Sequence, residues 1–182
     1  PLDIKGVALL AHRDISGRVR QSFYLPAFSS KFLPSQPNLG GRSDDNYHGT
    51  DYSIENLVGD RLDNHTHIRR DDIVLEESEY YVVDVHEMEQ SESMPIRRHY
   101  IRKDMLFITR TDHFDDLGRL DKSQTNHDLV NVHGDSWRAN ILMMENHQRE
   151  HRTVIKIDRR IISADYVPKE VFSRAWIIAN HR

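Results

Sequence analysis

Twelve histidines in a chain of 182 residues, beside 29 acidic and 25 basic side chains and no cysteine, set out the chemistry available to this protein. Without thiols there is no cysteine nucleophile, disulfide or thiolate metal site, so any metal centre must be built from imidazole and carboxylate. His65-Thr66-His67 is the closest pair of ligand type, because residues i and i+2 of a strand share a face, and Asp60, Asp63, Asp71 and Asp72 lie nearby. No third ligand is spaced to close the site. The segment therefore reads as a solvated polar run, and no metal or other cofactor is expected.

Two further patterns resemble catalytic motifs. His133-Gly134-Asp135 with Asn140, followed by the run Val154 to Asp158, resembles the catalytic loop of aminoglycoside- and choline-kinase-like phosphotransferases. That likeness implies Asp135 as the base for a substrate hydroxyl, with Asn140 and Asp158 on magnesium. His48-Gly49-Thr50 and His151-Arg152-Thr153 resemble the paired motifs of two-histidine phosphoesterases. There one histidine serves as base and the other as acid, while the threonines bind phosphate from the same strand faces. Neither motif has its expected surroundings: no glycine-rich nucleotide loop lies upstream of the first, and the leading half of the second sits in a Gly/Asp-rich stretch. The reading preferred is non-catalytic.

The elements that must position these residues are strands. Isoleucine and valine number 27 against seven alanines, a balance suited to half-buried pleated surfaces. Val7 to Leu10 and Arg18 to Leu25, joined through Asp14 and Gly17, form a leading hairpin. From Pro26 to Thr50 prolines, glycines and serines break the pattern, giving an irregular arm. Short alternating runs then recur: Ile73–Leu75, Tyr80–Val85, Ile96–Ile101, Met105–Ile108, Leu129–Val132, Ile141–Met144 and Val154–Ile157. The expectation is an all-β chain, with a hairpin and Pro/Ser/Gly-rich arm over 1–65 and an antiparallel β-sandwich over 66–182, or alternatively a β-barrel. Arg102-Lys103-Asp104 marks a tight turn. Val83, Val85, Leu106, Ile108, Val130, Val132, Ile155 and Ile157 are expected to face the core. Residues 168–178 satisfy both a strand and a helix begun at Pro168.

The broadest resemblance is to the small heat-shock proteins of the α-crystallin family. It rests on Val74 to Val85 with its acidic-aromatic start, on Leu129-Val130-Asn131-Val132-His133-Gly134, on Asp158 to Val167, and on the Ser-, Pro- and Phe-rich stretch from Ser22 to Ser35. The acidic stretch between Ile108 and Asp128 has no counterpart in that family. The resemblance implies a holdase that binds partly unfolded protein clients or other subunits as a homo-oligomer. Phe23, Tyr24, Leu25, Phe28, Phe32 and Leu33 would form its interaction surface, since prolines at 26 and 34 keep this apolar segment extended. A β-barrel ligand carrier is the other non-catalytic alternative. A formal charge of −4 with no basic cluster argues against nucleic acid. No apolar run approaches a membrane span, no targeting segment is visible, and a cytoplasmic location is expected.

Overall fold

The computed structural model of the protein describes residues 8–13, 19–25, 31–34, 50–53, 56, 62–88, 94–163 and 165–180. They fall in two units, residues 1–43 with 160–182, and residues 44–159. In the first unit β1 (Ala8–Arg13), β2 (Val19–Leu25) and β3 (Lys31–Pro34) make an antiparallel sheet in that order. The leading hairpin expected from the sequence is present, with Ala8 opposite Tyr24 and Arg13 opposite Val19. The ambiguous C-terminal segment is helical: a 3-10 turn over Lys169–Phe172 begins after Pro168, and α1 spans Arg174–Asn180. Ser173 caps that helix, its Oγ accepting from the Trp176 amide, as small hydroxyl residues do at helix starts. Ile177 is the residue α1 buries.

The second unit is a meander of seven strands, β4 (His65–Leu75), β5 (Ser78–Glu87), β6 (Arg97–Arg102), β7 (Phe107–Phe114), β8 (Leu120–His133), β9 (Ser136–Asn146) and β10 (His151–Lys156). Each pairs antiparallel with its sequence neighbour, and β4 and β10 are the two edges. The all-β antiparallel class is as expected, in the form of an open curled sheet. Every connection is a local reversal, so no long loop has to be closed before pairing begins.

Turn chemistry explains several of these reversals. At β4–β5 both loop residues, Glu76 (φ 48°) and Glu77 (φ 65°), are left-handed, as a two-residue hairpin of this twist requires. At β6–β7 the expected turn is present over residues 103–106, and Leu106 occupies its left-handed position (φ 47°). That placement leaves Leu106 exposed rather than in the core, and Ile108 is exposed as well. The acidic stretch after Ile108 is the β7–β8 hairpin itself: the Asp115 carboxylate accepts the amides of Leu117 and Arg119, and Gly118 (φ 74°) completes the turn. A Cβ at Gly118 would lie 2.7 Å from Met94 Cε. The β4 edge carries a bulge between Arg70 and Ile73 together with Arg69, Arg70, Asp71 and Asp72, features that discourage edge-to-edge pairing.

Burial departs from simple alternation on β5. Val85 is buried as expected, but Val82, Asp84 and His86, which point to the opposite face, are buried too.

Candidate functional site

The register of the meander places one residue from each strand in a row that crosses the whole sheet, and the neighbouring residue of each strand in a second row on the reverse face. The first row reads Ile68, Asp84, Arg98, Asp112, Ser123, Glu145, Arg152. The second reads His67, Val85, Arg97, His113, Lys122, Asn146, His151. Directly opposed residues of an antiparallel pair have Cβ atoms about 5 Å apart, so each row is a string of potential contacts.

The first row alternates in charge and is closed by hydrogen bonds. Asp84, 0% exposed, accepts from Arg70 Nε at 2.7 Å and from Arg98 Nε and Nη2 at 2.6 and 3.0 Å. Burial alone would raise the Asp84 pKa, but the hydrogen bonds from Arg98 and Arg70 outweigh it and hold the carboxyl below its ordinary range. Asp112 accepts from Arg110 Nε (2.8 Å), Arg110 Nη2 (3.1 Å), Tyr100 Oη (3.2 Å) and Ser123 Oγ (2.8 Å). Ser123 Oγ also lies 2.9 Å from His147 Nε2. The serine's single proton goes to the Asp112 carboxylate, so His147 donates to the hydroxyl and is not its base. That order, carboxylate then serine then imidazole, differs from a nucleophilic triad, in which the carboxylate orients the histidine. His86 is the exception on this face, buried with neither ring nitrogen hydrogen-bonded.

The second row holds Arg97 and Lys122, three histidines and no carboxylate. His113 lies between the two cations; its Nε2 is buried without a hydrogen-bond partner. Burial, then the positive charges of Arg97, His99 and Lys122, push its pKa down to about 3, so the ring is neutral at ordinary pH. At the β10 end, Asp51 lies over this face, 2% exposed, and its Oδ2 accepts from His151 Nδ1 and Thr153 Oγ1, each at 2.7 Å. The Asp51 amide donates back to Thr153 Oγ1 at 2.9 Å. Burial opposes ionisation of Asp51, but the hydrogen bonds from Thr153 and His151 lower its pKa overall. Burial and the adjacent Asp51 charge raise the Tyr52 hydroxyl to about 12. Further along the same face comes a mixed row, Val83, His99, Thr111, Gln124, Met144 and Thr153, in which Met144 is fully buried, and then Tyr81, Ile101, Leu142 and Ile155. Arg69 stacks over the Tyr81 ring at 4.6 Å. One face thus carries a polar, histidine-rich band beside an apolar band. Where both rows reach the β9–β10 turn there is an open depression of about 400 Å³ lined by Glu145, Asn146, His147, Glu150, His151 and Arg152.

Residues 1–178 match a family described as uncharacterized protein. The chain belongs to this family, DUF1329. No curated protein matches the chain. Among solved structures it is similar to a Vibrio parahaemolyticus domain described as a candidate outer membrane lipoprotein-sorting protein, with TM-score 0.82 and 20% identity, covering 98% of this chain and 74% of that one. It is also similar to a DUF1329 family protein from Desulfovibrio piger (TM-score 0.78, 19% identity, 97% and 73% covered). A LolA superfamily protein from Nitrosomonas europaea is a more distant likeness (TM-score 0.58, 13% identity, 90% and 74% covered). At these identities the shared property is the fold.

Membership of DUF1329 corrects the small heat-shock resemblance and, with it, the chaperone reading. Two of the stretches that carried the likeness are ordinary parts of the meander. Tyr80 to Val85 is one of its strands, with Asp84 held by two arginines, and His133-Gly134 is the tip of the β8–β9 hairpin. Alternating valines and a Gly turn are what strands and hairpins of many folds require.

The kinase-like trio is not assembled. Asp135 is exposed at the hairpin tip, and Asn140 lies five residues along β9, about 17 Å away at strand rise. Asn140 Nδ2 donates to Asp128 at 3.0 Å, and Asp158 is exposed beside Lys156. Of the two-histidine motifs, His151 and Thr153 share a face as expected, but Asp51 binds both; His48 lies outside the described residues. His65 and His67 share a face of β4, and among the described residues no group of three or more ligands suits a metal. Phe23, Tyr24 and Leu25 lie on β2 opposite Leu33, Phe32 and Lys31 of β3. Tyr24 is 2% exposed, and Phe28 lies outside the described residues. Sequence reasoning missed both rows; the charged residues at period two in Arg98 to Arg102 and Arg110 to Asp112 were their available signal.

Proposed function

We propose that this protein is a non-catalytic carrier of an acylated, amphiphilic ligand, held on the histidine-bearing face of the seven-stranded sheet. The observation that carries the reading is the partly exposed apolar row Tyr81, Ile101, Leu142 and Ile155 on that face, which follows a polar band at one end. The likeness of nearly the whole chain to a domain described for lipoprotein sorting and to a LolA superfamily protein supports it. On this reading the protein partner is one that bears a lipid chain. No helix among the described residues is long and apolar enough to cross a membrane. The test is native mass spectrometry of purified protein mixed with a lauroylated hexapeptide and with the same peptide lacking the acyl group. A one-to-one complex with the acylated peptide alone is expected, weakened in Tyr81→Ser/Leu142→Ser. Equal capture of both peptides, or of neither, refutes the carrier reading.

A further inference from the structure

We propose that the tips of the β4–β5 and β6–β7 hairpins form a docking surface for a protein segment that is both cationic and apolar; the proposal stands apart from the carrier reading. Both turns lie at the same end of the meander, and Lys103 ties them together: its amide donates to the Glu79 carbonyl at 3.0 Å, and its Nζ pairs with Glu79 at 2.8 Å and Asp72 at 2.6 Å. On that joined end Val74 is 67% exposed, Leu75 42% and Leu106 73%, and Ile108, the cross-strand partner of Ile101, is exposed as well. A single exposed apolar residue is ordinary; a group of them on two linked tips is the kind of patch that a partner covers. Leu106 carries a second cost. Its backbone is left-handed (φ 47°), a conformation that disfavours leucine and that asparagine or glycine adopts readily. A bulky apolar side chain that is both strained and held in water contributes little burial to the sheet, and such an outlier points to a contact outside it.

The charges around the patch select the partner. The basic side chains there are engaged: Arg69 with Asp72, Arg102 with Asp104, Lys103 with Asp72 and Glu79, while Arg70 turns to the buried Asp84. Asp71, Glu76 and Glu77 are exposed and form no ion pair among the described residues. An anionic bilayer would be repelled by these carboxylates, and a second copy meeting this one tip to tip would set like charges against each other. The surface instead suits a segment that carries lysine or arginine beside leucine-like side chains, the cations reaching Glu76 and Glu77 and the apolar groups covering Val74 and Leu106. At the usual strand spacing Val74 and Leu106 stand roughly 10–14 Å apart, the separation of apolar residues about two turns apart along one face of a helix.

Titration calorimetry with a synthetic amphipathic helix of leucine and lysine, and with its leucine–glutamate counterpart, tests the surface. The leucine–lysine helix is expected to bind and the leucine–glutamate helix not to. In Val74→Ser/Leu106→Asn the affinity should fall about tenfold or more, the scale of two apolar side chains withdrawn from a contact. In Glu76→Gln/Glu77→Gln it should fall about threefold, the scale of exposed ion pairs. Asparagine tolerates the left-handed backbone, so Leu106→Asn alone should lose affinity without a lower melting temperature, a separation that a merely structural leucine would not give. Leu117→Ser, at a residue equally exposed on the opposite end of the sheet, and Leu142→Ser, in the apolar row of the ligand face, should leave peptide binding unchanged. No binding of the leucine–lysine helix, equal binding of both helices, or unchanged affinity in the tip variants overturns the docking surface and leaves the carrier reading standing. A loss in Leu142→Ser that matches the loss at the tips overturns it by placing the peptide on the ligand face. A wild-type dimer abolished by Val74→Ser/Leu106→Asn overturns it in favour of a second copy. The carrier reading fails or stands separately, on capture of the acylated hexapeptide, which the tip variants should not alter.

Discussion

The two faces of the seven-stranded sheet use the same strands, offset by one residue, to opposite ends. On one face Asp84 and Asp112 are each enclosed by arginine, tyrosine or serine donors, so that the charges satisfy one another and tie neighbouring strands together. On the other, Arg97 and Lys122 flank a neutral His113 whose Nε2 is buried, and a mixed row and then an apolar one follow. The charge network of the first face stabilises the sheet, although His86 on that face is buried with neither ring nitrogen hydrogen-bonded. A buried imidazole nitrogen without a hydrogen bond, as in His113, costs stability.

The most severe break of that comparison is Asp84→Ala. It leaves Arg70 and Arg98 without their shared buried partner, and equilibrium urea unfolding should show a loss of about 3 kcal/mol, reduced from the fully buried case because both arginines keep some solvent. A loss below about 1 kcal/mol would show that the network is ornamental.

The faces should also differ in their response to acid. His113 has a folded pKa lowered from 6.5 to about 3, so between those values the unfolded chain takes up a proton that the folded protein refuses. Its contribution to stability is full above about pH 6.5 and declines as pH falls toward 3. Asp84 is also lowered, from 3.8, so its contribution is full above that value and is lost only as pH falls below it. In His113→Gln the decline in urea midpoint between pH 7 and pH 4.5 should be shallower than in the wild type. A parallel decline would mean that His113 protonates as freely in the folded state as in the unfolded one.

A smaller effect belongs to the strap at the β10 end. Thr153→Ala removes a donor to Asp51 and the acceptor of the Asp51 amide, and should cost about 1–2 kcal/mol in thermal or urea unfolding. Exchange of the Asp51 amide proton should accelerate in step; an unaltered rate would show the strap to be held by His151 alone. The smallest effect should be a gain. Glu76→Asn with Glu77→Gly relieves two left-handed glutamates at the β4–β5 turn and should stabilise by about 1 kcal/mol, raising the melting temperature without changing ligand affinity. No rise would place the strain elsewhere.

How legible all this was depends on the range of the interaction. Tyr80 to Val85 announced a strand because β-branched residues and period two act within one strand, and Asp14 with Gly17 announced the leading hairpin for the same reason. Leu106 was read as core on its neighbours' pattern, yet a turn needed a left-handed residue at its position and the side chain went to solvent. Asp135, Asn140 and Asp158 matched a catalytic spacing in sequence, but strand rise separates the first two by about 17 Å. The pair His151 and Thr153 did share a face; that Asp51 would bind both, a hundred residues away, has no local signal.

The amino-acid sequence by itself determined that this chain would be built of antiparallel strands, where most of them run, and that no thiol chemistry is available, because propensity, periodicity and composition are local properties. Only the tertiary structure decided which residues of those strands meet. A shift of one residue in register would have exchanged the two faces, placing Asp84 beside Arg97 instead of Arg98; three strands had to be aligned before Arg97, His113 and Lys122 could stand side by side.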